Sequence, residues 1–258
     1  MRNVEMFFSG RIDGAPVIYL HGIGGHASNF EQMTAHLGGY ACWCVNLPGY
    51  GDSAPLNVPS DFEHLSYWLG QIISQLDRGA VHLVGHSIGG MIGLEHACRQ
   101  PEQIASLSML GATSAFGGKD DSFKKAFLEA RLAPLDTGTT MQQMAEQAID
   151  HLVGSSCDEA ARIAGITSLA QVDEPVWRDI LRCLVNFNRR DDIAAIKTPV
   201  CIIAGEEDTN APARTLQKMG QTFLHAEFHC LKAVGHLLPL ESPAEIGQII
   251  NRFISGQK

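Results

Sequence analysis

The stretch VHLVGHSIGG, residues 81–90, constrains the fold more than any other part of the chain. Val81, Leu83 and Val84 read as a buried β-strand, and Ile88, Met91, Ile92 and Leu94 as the buried side of a helix. A chain that passes from strand to helix within so few residues has to turn sharply, with Ser87 at the apex. Gly85-His86-Ser87-Ile88-Gly89 fits the pattern G-x-S-x-G. Lifting a serine hydroxyl clear of a sheet takes a strained backbone, usually with positive φ. Side chains two residues before and after it would collide across the turn, so both positions call for glycine. Five-residue patterns recur by chance. The apolar strand before this one and the helix after it give it weight.

The surrounding chain alternates between strand and helix. Strand patterns fall at 4–10, 16–20, 41–46, 81–85, 104–111, 200–205 and 226–232, several of them continuous apolar runs suited to strands covered on both faces. Helical patterns fall at 30–37, 61–76, 89–99, 213–219 and 243–255. The last opens with Ser242 as N-cap, Pro243 in the first helical position and Glu245 in the first turn. The fold class expected is α/β, a mostly parallel central sheet with helices on both faces. Between the strands ending near 111 and starting near 199 only helical stripes appear. Phe123, Phe127 and Ala130 make one; Met141, Met144 or Ala145, Ala148 and Leu152 a second; Val176, Ile180, Leu184 and Phe187 a third. They are expected to face the core of an inserted helical cap at 115–190, with 1–114 and 191–258 as the sheet domain. Such a cap would sit over the carboxyl edge of the sheet, where α/β folds bind ligands.

A serine hydroxyl is a poor nucleophile at neutral pH and needs a histidine as base, itself held in one tautomer by an acid. On this kind of turn the partners follow in the order serine, acid, histidine. CIIAGEEDTNAP runs an apolar strand into an acidic loop, where Asp208 is the preferred acid, Glu207 the next and Glu206 the third. LKAVGHLLPLESP places His236 after a glycine on a loop before the last helix. Of the 11 histidines it alone combines those features with the right chain order. Two aimed donors must meet the oxyanion. One is the backbone N–H of Ile88. The other comes from the loop in VIYLHGIGGHASNF, where Gly22 to Gly25 bring bare backbone close: Ile23 N–H, or Gly24 in its place. A phosphate-binding reading of that loop fails for lack of a following lysine and P-loop spacing.

Four separated segments, HGIGG, NLPGYGDS, GHSIGG and GEEDTNAP with GHLLPLESP, resemble the α/β-hydrolase superfamily of the serine-nucleophile type, over essentially the whole chain outside the cap. The size and the segment NFNRRDDIAAIKTPVCIIAGEEDTNAP look most like the 3-oxoadipate enol-lactonase and ring-fission-product branch. The resemblance implies an α/β-hydrolase fold and hydrolysis, through an acyl-enzyme, of a small ester or lactone, with or without a carboxylate on the substrate. It needs neither metal nor organic cofactor. An alternative is cleavage of carbon–carbon or amide bonds in aromatic degradation by the same triad; a slow ligand receptor is a third reading. The carbon–carbon hydrolases share HGIGGHASNF, with Asn29 as a residue orienting the oxyanion loop, but usually follow the catalytic histidine with tryptophan, where this chain has Leu237. Candidate substrate-binding residues are Gly22, Asn29, Phe30, Arg131, Trp177 and Leu237. Arg189 or Arg190 joins Arg131 as a possible partner for a carboxylate.

A formal net charge of −9 argues against nucleic acid and anionic membranes as partners and leaves a small-molecule substrate. No apolar run reaches the roughly 18 residues of a membrane span, and the first residues lack a signal-peptide core, so a cytoplasmic location is expected. Seven cysteines without a CxxC pair read as reduced, buried thiols, with Cys42 and Cys44 on one face of a strand too few to suggest zinc. The oligomeric state is open.

Overall fold

A computed structural model of the chain describes residues 3–117 and 121–257. Seven strands form one sheet: β1 (Met6–Gly10), β2 (Ala15–Leu20), β3 (Tyr40–Val45), β4 (Val81–His86), β5 (Ile104–Leu110), β6 (Val200–Gly205) and β7 (Ala226–Leu231). Their order is β1-β3-β2-β4-β5-β6-β7, with β1 antiparallel to β3 and every other neighbouring pair parallel. Alternate residues of the buried strands feed two cores. Ile18, Leu20 and Leu83 pack with Leu69 and Ile92 on one face; Val17, Tyr19 and Val84 pack with Ile246 and Ile250 on the other. Coverage on both faces accounts for the unbroken apolar runs.

The helices are α1 (Glu31–Thr34), α2 (Phe62–Leu76), α3 (Ile88–Arg99), α4 (Asp121–Asp136), α5 (Met141–Ala148), α6 (Glu159–Ala170), α7 (Glu174–Leu184), α8 (Ala213–Gly220), α9 (Leu238–Glu241) and α10 (Pro243–Ser255). The Asp61 carboxylate caps α2 by accepting from the His64 N–H at 2.7 Å. Ser242 precedes α10 but does not cap it: no side-chain bond reaches the helix backbone, and its hydroxyl lies 3.5 Å from Glu245 Oε2. The preceding α9 brings Ser242 in with φ −141° and ψ 52°, and the Ser242 N–H is committed to the Leu238 carbonyl.

Four α-helices, α4 to α7, lie between β5 and β6. Residues 118–120 of the expected cap lie outside the described residues. The three apolar stripes fall on α4, α5 and α7, with Leu152 beyond α5 and Phe187 in the turn beyond α7. The expectation that all of them face the core is corrected for Phe123, which is exposed at the cavity wall, and for Ala130, which is also exposed. α6 has no counterpart among the stripes because, Leu169 apart, its buried residues Ala161, Gly165 and Ser168 are too small to show as one. Cys230, on the edge strand β7, is likewise exposed rather than buried, and Cys98 and Cys157 are only partly buried. Among the described residues no helix is long and apolar enough to cross a membrane, and no cluster of three or more His, Cys, Asp or Glu side chains has the geometry of a metal site.

Candidate active site

β4 ends and α3 begins on either side of Ser87, whose backbone takes φ 51° and ψ −120°. A side chain pays for that conformation in strain, so the surroundings must enforce it. Two glycines do so. A Cβ at Gly85 would be driven into the backbone of Gly89 and Gly90, and one at Gly89 into the carbonyl of Leu20 on the neighbouring strand. Gly89→Ala is therefore expected to destabilise the fold by about 3 kcal/mol or more, because only backbone atoms could give way. Urea denaturation of the variant measures it; a loss below about 1 kcal/mol would show that the elbow can relax.

The turn aims the Ser87 hydroxyl at His236, with Oγ 3.1 Å from Nε2. His236 Nδ1 lies 2.7 Å from Asp208 Oδ2. The other Asp208 oxygen accepts the N–H groups of Asn210 at 2.8 Å and Ala211 at 3.0 Å. Burial works to raise the Asp208 carboxyl, but the facing imidazole and these hydrogen bonds outweigh it and hold the carboxyl below its ordinary range. The rival acids are engaged elsewhere. Glu207 accepts from the Ser155 N–H and hydroxyl, both at 2.7 Å, and Glu206 from the Ala233 N–H.

His236 is gripped from two sides by contacts that the sequence did not announce. Its N–H donates to the Leu152 carbonyl at 2.6 Å, and its own carbonyl accepts from His86 Nε2 at 2.7 Å. A carbonyl only accepts, so the His86 proton sits on Nε2. Glu241 adds a third hold. Its Oε2 accepts from Gly235 at 2.9 Å and from Gly154 at 2.7 Å, tying the histidine loop to the segment after α5. The only early signal of His86 was its place inside the G-x-S-x-G pattern.

The loop after β2 presents Ile23. The Gly22 carbonyl accepts from Gly25 N–H at 3.0 Å and from His21 Nδ1 at 2.8 Å. In a trans peptide the N–H points opposite the carbonyl, so anchoring Gly22 C=O fixes the direction of Ile23 N–H. Tyr50 donates to the Ile23 carbonyl at 2.7 Å and fixes the Gly24 N–H in the same way. Ile88 is the first residue of α3, so its N–H has no carbonyl a turn earlier to bond. The NLPGYGDS turn backs this loop: Asn46 accepts from Ala27 N–H, and Leu47 N–H donates to His21 Nε2 at 3.0 Å. Asn29 accepts from His26 N–H and donates to Ser168 Oγ at 2.8 Å, joining the loop to α6.

His21 and His86 are therefore neutral, buried parts of the scaffold. Burial, opposed in each by a hydrogen bond to a backbone carbonyl, pushes His21 down to about 4 and His86 down to about 3. An unfolded imidazole takes its proton near pH 6.5, so below that pH the unfolded state binds more protons and stability falls as pH falls. From pH 7 to 5 the loss is expected to be about 2 kcal/mol for each. Urea midpoints across that interval measure it, and a flat profile would contradict the assignment.

Ser87 and His236 open into a cavity of about 1170 Å³ between the sheet edge and α4, α6 and α7. Gly22, Ile23, Asn29, Arg131, Trp177, Arg190 and Leu237 line it with Ser87 and His236. Two expectations are corrected. Phe30 does not reach the cavity: it is fully buried on the opposite face of the sheet, with its ring 5.2 Å from that of Tyr19. Arg189 is not free for a substrate, because its guanidinium holds the buried Glu95 carboxylate with two contacts of 2.6 Å. Arg131 lies half-buried, its guanidinium 3.6 Å from the centroid of the Phe127 ring.

A positive-φ serine between strand and helix, at the carboxyl edge of such a sheet, defines an α/β hydrolase architecture. The chain belongs to the alpha/beta hydrolase family, whose family model matches residues 17–249. Among curated relatives it is 25% identical over 256 residues to the dihydrolipoyllysine-residue acetyltransferase component of an acetoin cleaving system from Pseudomonas putida, covering 98% of this chain and 67% of that one. It is 24% identical over 241 residues to a 2-succinyl-6-hydroxy-2,4-cyclohexadiene-1-carboxylate synthase from Enterobacter, covering 92% and 91%. Among solved structures, the enol-lactonase of Burkholderia xenovorans superposes with a TM-score of 0.86 at 18% identity, covering 98% of this chain and 96% of that one.

Proposed function

We propose that this protein is a serine hydrolase of small carboxylic esters or lactones that works through an acyl-enzyme. The supporting observation is the continuous chain of contacts from Ser87 Oγ through His236 to a buried Asp208, set at 3.1 and 2.7 Å. In this reading Ser87 attacks the carbonyl carbon while His236 Nε2 takes its proton. The N–H groups of Ile23 and Ile88 hold the resulting oxyanion. His236 then protonates the leaving alkoxide, and a water, deprotonated by the same imidazole, releases the acid. Arg131 faces the cavity and, among the described residues, forms no ion pair with a carboxylate, which favours a substrate bearing one of its own.

The test is covalent. A fluorophosphonate should add one adduct per chain, located on Ser87 by peptide mass, and a panel of esters and lactones should be turned over. An adduct on another residue, or none with no turnover, would remove the proposal. Cleavage of carbon–carbon or amide bonds by the same three residues is the rival reading, so vinylogous diketones and acyl amides belong in the same panel. Faster cleavage of either class than of esters would move the reading to carbon–carbon or amide bonds.

A further inference from the structure

The charge of the cavity wall is opposite to that of the chain. The sequence has 28 acidic against 19 basic residues. Among the described residues lining the cavity, however, there is no aspartate or glutamate, and there are four cations: Arg131, Arg190, Arg214 and Lys218. The other arginines of the region are spoken for: Arg99 and Arg189 hold Glu95, Arg178 holds Asp136 and Glu174, and Arg162 holds Asp150. Arg190, Arg214 and Lys218 meet no carboxylate within ion-pair distance among the described residues.

Their placement is ordered. Arg214 and Lys218 are four residues apart on α8, so they project from the same side of it. α8 starts just after the loop whose Asn210 and Ala211 amides hold Asp208, so Arg214 stands in its first turn and Lys218 one turn further on, both lining the cavity. Arg190 joins them from the segment returning from α7. All three are exposed, whereas Leu169, Trp177, Leu181 and Ile193, which line the same cavity, are buried and apolar.

We propose that Arg190, Arg214 and Lys218 form a second, distal subsite for an anionic terminus, and that the substrate is an extended ester with the scissile carbonyl at Ser87 and a carboxylate or phosphate at its far end. This rests on the reading of Ser87 as nucleophile and adds the class of substrate. Buried apolar walls and exposed cations suit a chain that is apolar between its two polar ends. Arg131, deeper in, is separate from it and would answer to a carboxylate nearer the reacting carbonyl.

Methyl esters of straight-chain acids of increasing length, ending in hydroxyl, carboxylate or phosphate, test the subsite. Each anionic ester is compared with the hydroxyl ester of the same length in the same protein. In the wild type, chains long enough to reach α8 should gain about 10-fold in kcat/KM through KM, as expected of a few exposed ion pairs acting together. High salt should erode that gain. The triple variant Arg190→Gln, Arg214→Gln, Lys218→Gln should reduce it to less than about 2-fold while leaving any preference among short carboxylates, which belongs to Arg131. The ratio of phosphate to carboxylate identifies the terminus. Equal rates for charged and uncharged ends at every length, or a gain that survives in the triple variant, would overturn the subsite even if every ester is hydrolysed. If no ester is hydrolysed, the ester reading fails by itself, and calorimetric binding of the free ω-phosphoalkanoic acids decides the subsite. Weaker binding in the triple variant supports it; equal binding refutes it.

Discussion

Replacing Ser87 by alanine is expected to lower kcat by about ten-thousand-fold or more, while leaving the folded state within about 0.5 kcal/mol of the wild type. On the proposed mechanism the variant lacks its nucleophile, since Ser87 is the hydroxyl facing His236 Nε2. The fold should not notice, because alanine keeps the same Cβ and so carries the same strain at φ 51°. Glycine separates the two effects. Ser87→Gly should be as inactive as the alanine variant, yet about 1 kcal/mol more stable, since a residue without Cβ adopts this backbone freely. Initial rates on the best ester, together with urea denaturation of the three proteins, check both statements. An alanine variant retaining more than about a hundredth of the activity would remove Ser87 from the chemistry. A glycine variant less stable than the wild type would mean that the serine side chain stabilises the turn that strains it.

The sequence made some of these features legible and hid others for identifiable reasons. The strands buried on both faces and the elbow were readable because their signals are local: apolar runs, and glycines two residues either side of a serine. Asp208 could be preferred to its neighbours only by loop position, and the structure separates the three through contacts with residues far along the chain, such as Ser155 for Glu207. α6 was missed because its packed face is made, Leu169 apart, of small residues, which carry shape but no hydrophobic contrast. Phe30 and Asn29 show the limit of reasoning from adjacency. They are neighbours in one short 3-10 helix, but successive side chains of such a helix point about 120° apart. Asn29 therefore reaches Ser168 while Phe30 goes into the far core. The clamps on His236 from His86, Leu152 and Glu241 join segments up to 150 residues apart, and no spacing rule announces such contacts.

Asp208→Asn is expected to cost nearly as much as losing the nucleophile, about ten-thousand-fold in kcat, although almost no atoms move. The surroundings dictate how the amide must sit. The position of Asp208 Oδ1 receives two N–H groups, from Asn210 and Ala211, and only a carbonyl oxygen can accept both. The NH2 group of an asparagine is then forced into the position of Oδ2, facing His236 Nδ1. A donor there requires Nδ1 to be an acceptor, so the imidazole proton moves to Nε2. That proton points at Ser87 Oγ, across the 3.1 Å contact where the base should have a lone pair. The variant would keep its fold and its cavity but hold its histidine in the wrong tautomer. Glu207→Gln is the control: Glu207 holds Ser155 rather than His236, so that variant should retain activity within a few-fold. Steady-state rates of both variants on one ester, with nitrogen chemical shifts of His236, distinguish the outcomes. If Asp208→Asn is active and its Nδ1 still carries the proton, the carboxylate is not what orients the base.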